Sequence, residues 1–498
     1  MNLRIPNSKH GFSLASRFIA EFVNRASSFI VFPLMIKYLS PEAYGVNTQI
    51  QTLTAYLMTI AGLGLGFYVI KELSGKIERS ILSRRFRSSL LLVGSVSLLL
   101  GAFLIVFPDL INQWLFRVDW APEIIRWSFG LLLFSSWEQV IRDFLRARLK
   151  IVAYSTMQIF QAVAYVVGVS AVLLAGYGLL EIIQLTIAIR LVSVIMMIAY
   201  LAFSGEIELA GGFISRQEQL KAVQWGLPLV ASSLSVTIIG NGDRTILGAL
   251  TDATSVGIYG ASYQLANVLL AIGSPFWSLL YPLLATYKNS EDFQGLSHAS
   301  QRYVNAFAFI GFPAFFGLLC VGPALLGLVG STTFEIPTFT FFFIILGVFI
   351  SQFCSPLLYL AYLYQKPTTI LIITTASALL NASLNILLIP RMGILAAAIN
   401  TTVTYTAMDY ALCRLVPTTG FREKDLYDYG NIGKFLFASL IMTVGIVLAR
   451  TRISDTLVSM GLIIAGAIVL YGLTLLLIYG FNIPRLANAL LGRTINSK

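Results

Sequence analysis

Apolar runs of about twenty or more residues recur along this chain from one end to the other, separated by short polar connections. Each is long enough to cross roughly 30 Å of hydrocarbon, and none alternates as a barrel strand would. The pattern predicts fourteen spans, at 17–39, 45–70, 88–111, 122–144, 151–175, 178–203, 221–250, 256–284, 303–329, 337–364, 367–390, 393–416, 431–450 and 456–480. Backbone groups in hydrocarbon must be satisfied within their own segment, so the architecture expected is an all-α polytopic membrane protein. The first run is over-long and lacks a small-residue cleavage site, which predicts an uncleaved first helix.

Lysine and arginine fall unevenly between these runs. One set of alternate connections holds "KELSGKIERSILSRRFR", "RARLK", "REKDLYDYGNIGK" and both termini; the other holds little beyond Lys37, Arg117, Arg391, Arg450 and Arg452. An imbalance of roughly five to one places both ends in the cytoplasm and requires an even number of spans.

Composition sharpens the class. The chain has 498 residues, 57% hydrophobic and 11% charged, against about 25% charged in soluble domains. A net charge of +11 is accounted for by basic cytoplasmic loops, so no nucleic-acid partner is expected. Cys320, Cys354 and Cys413 fall in or beside apolar runs without metal-ligand spacing, as small packing residues would. His10 and His298, the two histidines, lie outside the spans, so neither a metal site nor a histidine proton relay in the membrane is expected. The connections are too short for a soluble catalytic domain, and no phosphate loop is present. A transporter without a bound cofactor is the expectation; coupling to a proton or sodium gradient stays open.

Two segments repeat. "LSPEAYGVNTQIQTL" matches "TDATSVGIYGASYQL", pairing Gly45 with Gly257, and "LLAGYGLL" matches "LIPRMGIL", pairing Gly178 with Gly393, at nearly the same offset. Six spans separate the copies, so the halves enter the membrane in one direction and are related by an axis along its normal. The predicted division is an N-terminal six-helix lobe at 1–215, a second at 216–430, and two additional helices with a tail at 431–498.

The segment closed by "YLSPEAYG", the block "GDRTILGALTDATSVGIYGASYQLANV", "PFWSLLYPLLATY" and "LLNASLNILLIPRMGILAAAINTTVTY" together carry a resemblance. This set, spread over most of residues 12–410, resembles the polysaccharide flippases of the multidrug, oligosaccharidyl-lipid and polysaccharide exporter superfamily. The resemblance implies two six-helix lobes in a V, in a bacterial inner membrane. It also implies an undecaprenyl-pyrophosphate-linked oligosaccharide as cargo, moved from the cytoplasmic to the periplasmic leaflet for surface polysaccharide such as O-antigen or capsule. A polysaccharide polymerase and a chain-length protein are the partners implied. The last two spans are similar to those of fourteen-span members, where a groove for the prenyl tail is one role and plain packing another. An ion-coupled multidrug exporter is the runner-up within the fold, and a membrane polymerase lies outside it.

A pyrophosphate crossing hydrocarbon needs a wet, cationic cavity, and arginine suits it because its guanidinium stays charged and grips phosphate oxygens in pairs. Arg190 sits roughly 18 Å along its predicted helix and Arg25 about 12 Å inside the cytoplasmic end, both too deep to snorkel easily. Arg142, near a helix end, and Arg244, within the seventh span, complete the candidate cations for a pyrophosphate and sugar cavity. Glu21 precedes Arg25 by four and Glu138 precedes Arg142 by four, so each pair shares a helix face. Self-neutralising pairs and ion-coupling carboxylates are both open readings. In "IIGNGDRTILG", glycines beside Asn241, Asp243 and Arg244 favour either local unwinding or a kink with a local pair. Asn381 and Asn385 could bond sugars, although interhelical packing is the commoner use of membrane asparagine. Trp225, Trp277 and Tyr263 could stack on sugar rings, with packing or anchoring the commoner use.

Overall fold

A computed structural model describes residues 8–73, 77–208, 210–330, 332–364, 367–415, 423–452 and 456–482, with isolated positions as far as 488. Residues 1–7 and 489–498, the termini that the charge asymmetry assigns to the cytoplasm, lie outside the described residues. The described chain is helical throughout and forms two compact units, Met1–Gly257 and Ile258–Lys498.

The first unit begins with α1 (Ser8–Tyr38), whose end turns through "LSPE" into α2 (Pro41–Ala61). Ser40 caps α2 by accepting the Ala43 amide at 3.1 Å, and Pro41, which has no amide hydrogen to lose, takes the first helical position. The predicted span 45–70 is broken: Leu63 and Gly64 adopt left-handed backbone before α3 (Leu65–Glu72) resumes. Here the chain runs against a neighbouring backbone, since a β-carbon on Gly64 would lie 2.3 Å from the Gly226 carbonyl oxygen. Then follow α4 (Arg79–Val106), α5 (Pro108–Leu115), α6 (Ala121–Ala147), α7 (Ile151–Leu174), α8 (Leu179–Phe203), α9 (Arg216–Leu250) and the first turn of α10 (Ala253–Asn289).

Packing in this unit centres on α6, which meets α4 along one side and α8 along another, while α1 lies on α7 and α2 on α9. Phe86 and Phe144 bring their ring centroids to 4.5 Å between α4 and α6. The connection between α8 and α9 is fastened to α4. Arg87 donates to the carbonyl oxygens of Glu208, of Ala210 at 2.6 Å and of Gly212 at 2.8 Å. Ser83 and Ser88 accept the amides of Glu208 and Ile214 at 2.8 and 3.0 Å.

The second unit continues with α10, α11 (Phe293–Val329), α12 (Thr338–Phe353), α13 (Ser355–Tyr364), α14 (Pro367–Met392), α15 (Ile394–Leu415), the short α16 (Glu423–Leu426), α17 (Tyr429–Arg450) and α18 (Leu457–Ile478). α12 pairs with α15, α14 with α15, and α17 with α18, the last two also lying on α11. Phe307, Phe312, Phe315 and Phe353 gather around Phe349 between α11 and α12.

Each predicted span overlaps described helix, with breaks inside 45–70, 88–111 and 337–364. Ten of the described helices are long and apolar enough to cross a membrane, or eleven if α12 and α13, bent by 42°, make one crossing. Three predicted spans, those carried by α2 with α3, by α6 and by α15, are not among them. Their polar groups are turned inward: Gln49, Glu138, Asp143, Asn400 and Thr404 are all buried.

The repeat-matched glycines meet. A β-carbon on Gly45 would lie 1.8 Å from the Ala253 carbonyl oxygen, and one on Gly257 would lie 1.9 Å from that of Pro41. Each glycine thus abuts the carbonyl four residues ahead of the other, a reciprocal contact that any side chain would force apart. Gly45→Ala is expected to lower folded stability by about 1–3 kcal/mol, the usual cost of overpacking. Unfolding of the purified protein in detergent measures it, with Gly240→Ala, where nothing lies within 4 Å of a new β-carbon, as the near-neutral comparison.

Candidate functional site

The segment "EQVIRDFLR" on α6 sets polar groups at Glu138, Gln139, Arg142, Asp143 and Arg146, three and four apart, so a helix of 3.6 residues per turn gathers them along one side. Glu138 is wholly buried. Its Oε1 accepts from Arg142 Nη1 at 2.6 Å, and its Oε2 accepts from Arg190 Nη1 of α8 at 2.8 Å. A buried carboxylate is tolerable only when such partners replace its water.

The bonding continues along α6. Arg142 Nη2 donates to Gln139 Oε1 at 2.6 Å, Gln139 Nε2 donates to the two Asp143 oxygens at 3.1 and 3.2 Å, and Arg146 Nη2 donates to Asp143 Oδ1 at 2.6 Å. Gly66 of α3 lets the Asp143 carboxylate lie close, because a β-carbon there would be 2.5 Å from Oδ2. Three guanidiniums and two carboxylates leave this ladder with one net positive charge.

Cavities lie at both ends of the ladder. Arg190 forms part of the wall of a cavity of about 400 Å³ lined by α1, α2, α6, α7 and α8. Its remaining polar lining is uncharged, including Asn24, Ser27, Asn47, Gln51, Thr54, Gln161, Tyr165 and Thr186. Arg190 Nε and Gln161 Nε2 are themselves buried and have no acceptor among the described residues; the Arg190 side chain as a whole keeps 33% of its surface exposed. A second cavity of about 440 Å³ shares Ala55 and Met58 with the first and is walled by Gly62, Gly64, Gly66, Gln139, Asp143, Arg146 and Ser233.

The other predicted residues fall elsewhere. Glu21 and Arg25 pair along α1 at 2.9 Å, beside Asn24 and Ser27 but not in the cavity wall. Arg244 does not line either cavity: its Nη1 donates to Asn241 Oδ1 at 2.9 Å and its amide to Asp243 Oδ1 at 2.7 Å. The unwinding that the glycines of this stretch could allow does not occur. α9 is continuous from Arg216 to Leu250, and Gln49 reaches across from α2 to the Arg244 carbonyl at 3.2 Å. Asn381 and Asn385 sit in the second unit, fully buried and bonded to their neighbours. Asn385 donates to Asn381 at 3.0 Å, Asn400 to Asn385 at 3.1 Å, and Asn381 to Thr404 at 3.3 Å. Trp225 packs against Tyr68 and Tyr263 against Tyr259; the side chain of Trp277 lies outside the described residues.

Sequence spacing identified Glu138 with Arg142 and left out Gln139, Asp143 and Arg146. The signal was present as polar residues at every third or fourth position of α6.

Residues 13–288 match a protein family described as polysaccharide biosynthesis protein. Over 201 residues the chain is 23% identical to the probable low-salt glycan biosynthesis flippase Agl15 of Haloferax volcanii. That match takes in 40% of this chain and 42% of the archaeal protein, less than half the length of the curated relative. Among solved structures, the lipid II flippase MurJ in an inward closed conformation superposes with a TM-score of 0.70 at 15% identity, covering 95% of this chain and 99% of that one. A multidrug resistance MATE transporter in an inward-facing conformation gives 0.60 at 13% identity, covering 82% and 99%. At these identities the likeness is one of fold.

Glu138→Ala leaves two guanidiniums without their buried counter-charge and is expected to destabilise the protein by roughly 3–5 kcal/mol. Glu21→Ala is expected to cost clearly less, because its carboxylate side chain is 38% exposed. Unfolding midpoints of the two variants in one detergent provide the comparison; equal losses would contradict it.

Proposed function

The chain belongs to the polysaccharide biosynthesis protein family, and from that premise we propose that it is a flippase for undecaprenyl-pyrophosphate-linked oligosaccharide. It is a multi-pass membrane transporter with the fold shared by lipid-linked glycan flippases and multidrug exporters of one superfamily. The proposed cargo moves from the cytoplasmic to the periplasmic leaflet of a bacterial inner membrane, for assembly of O-antigen, capsule or exopolysaccharide. A polymerase and a chain-length protein then act on the delivered unit.

The observation that carries this reading is Arg190, held on Glu138 and one-third exposed at the wall of a polar cavity. Guanidinium donors suit phosphate oxygens, and amide and hydroxyl walls suit sugars. The volume, about 400 Å³, lies within the range of roughly 300–1,000 Å³ common to ligand pockets. A cationic drug would meet Arg190 unfavourably, which speaks against the exporter reading. Arg25, paired with Glu21 on α1 outside the cavity wall, is the proposed contact for the headgroup at the margin.

Alternating access between lobes 1–215 and 216–430, arranged in a V, with two further helices at 431–498 and fourteen crossings in all, is the architecture proposed. The reciprocal packing of Gly45 and Gly257 supports the repeat on which it rests. Basic loops support cytoplasmic termini.

Arg190→Ala and Arg25→Ala are expected to leave the protein inserted while surface polysaccharide falls at least about tenfold, the effect of losing one charge-assisted hydrogen bond. Lipid-linked glycan should accumulate inside the cell. Normal polysaccharide in both variants at matched expression would refute the cavity assignment. Arg25→Lys should restore transport only in part, since an ammonium lacks paired donor geometry.

A further inference from the structure

The α6 ladder joins two cavities, a feature that a single binding site does not require. Arg190 faces one cavity and Arg146 the other, and the links between them are unbroken: Arg190 to Glu138, Glu138 to Arg142, Arg142 to Gln139, Gln139 to Asp143, Asp143 to Arg146. From Glu138 to Arg146 the helix rises roughly 12 Å. Arg146 is the more open end, with 44% of its side chain exposed.

Resting on the flippase reading, we infer that the second cavity is an entry subsite for the pyrophosphate and that the ladder hands it from Arg146 through Arg142 to Arg190. Every guanidinium on this route already touches a carboxylate or the amide oxygen that links the two. An arriving phosphate oxygen exchanges with that acceptor, and the released carboxylate turns to the next cation. No bond is made or broken other than hydrogen bonds, and the ladder's single excess positive charge is the driving attraction. The carboxylates matter as much as the arginines. Three unpaired guanidiniums would hold a multivalent anion too firmly to release it, and conduction through successive sites requires binding that is favourable yet weak enough to leave. Glu138 and Asp143 supply that competition, and they also hold the guanidiniums in place before the anion arrives.

Direction follows from charge. Arg146 belongs to "RARLK", on the basic side of the chain that the loop asymmetry assigns to the cytoplasm. The subsite where the headgroup first docks therefore has glycine backbone on one side, at Gly62, Gly64 and Gly66, and Arg146 on the other.

Proteoliposomes carrying the full chain and a fluorescently labelled undecaprenyl-pyrophosphate disaccharide provide the test, with bleaching of accessible label as the readout of transfer. Arg146→Gln is expected to raise the half-saturating concentration by about tenfold, the loss of one charge-assisted hydrogen bond, and to lower the maximal rate by less. Arg146→Lys should recover part of that shift. Asp143→Asn should act in the opposite sense, lowering the half-saturating concentration together with the maximal rate, because the anion meets less competition and leaves more slowly. If Arg146→Gln and Asp143→Asn follow the unaltered protein in both parameters while Arg190→Gln is inactive, the hand-over is wrong and the cavity reading stands. Equal loss in Arg146→Gln and Arg146→Lys at every concentration also overturns it, as that marks a structural residue. Full transfer by Arg190→Gln would instead remove the flippase reading beneath it.

Discussion

A carboxylate with no exposure to solvent has to be neutralised by the protein around it, and Glu138 determines much of what the first unit must be. Two guanidiniums from different helices converge on it, Arg142 from α6 and Arg190 from α8. That convergence requires α6 and α8 to pack face to face, and it makes α6 too polar to cross a bilayer unaided. The helix is admissible only because other helices surround it. Only the carboxylate is fully desolvated, the two guanidinium side chains keeping 26% and 33% of their surface, and removing both partners would leave a buried unpaired ion costing several kcal/mol.

Both units bury polar groups. In the first, Glu138 is held by two guanidiniums, one of them at the wall of a polar cavity. In the second, Asn381, Asn385, Asn400 and Thr404 bond one another without charge, and the Asp409 carboxylate is buried as well. A closed amide network of that kind fixes helix register, whereas a guanidinium at a cavity wall is suited to an anionic ligand.

Much of the helical arrangement was legible in the sequence, because apolar runs of bilayer length are a strong and local signal. What escaped was everything requiring two distant segments at once. Spacing by four found Glu21 with Arg25 and Glu138 with Arg142, but nothing local could pair Glu138 with Arg190, 52 residues away. The break at Leu63 and Gly64 was hidden inside an apolar run, where left-handed backbone leaves no mark on hydropathy. At Gly240 and Gly242 glycine content left unwinding and a kink both open, and α9 runs through them as unbroken helix, an outcome that composition does not register.

The clasp formed by Arg87 is read entirely from backbone, since its three acceptors are carbonyl oxygens. Side chains of the α8–α9 connection add to it, Glu206 pairing with Lys150 at 2.6 Å and Arg148 at 3.6 Å and Ile207 lying buried. Gly211 is held for a backbone reason. Its φ of +120° and the 2.8 Å approach of Arg87 to the position of a β-carbon exclude other residues. The tract is thus anchored to the bundle through one arginine on α4, at a point where its own backbone calls for glycine.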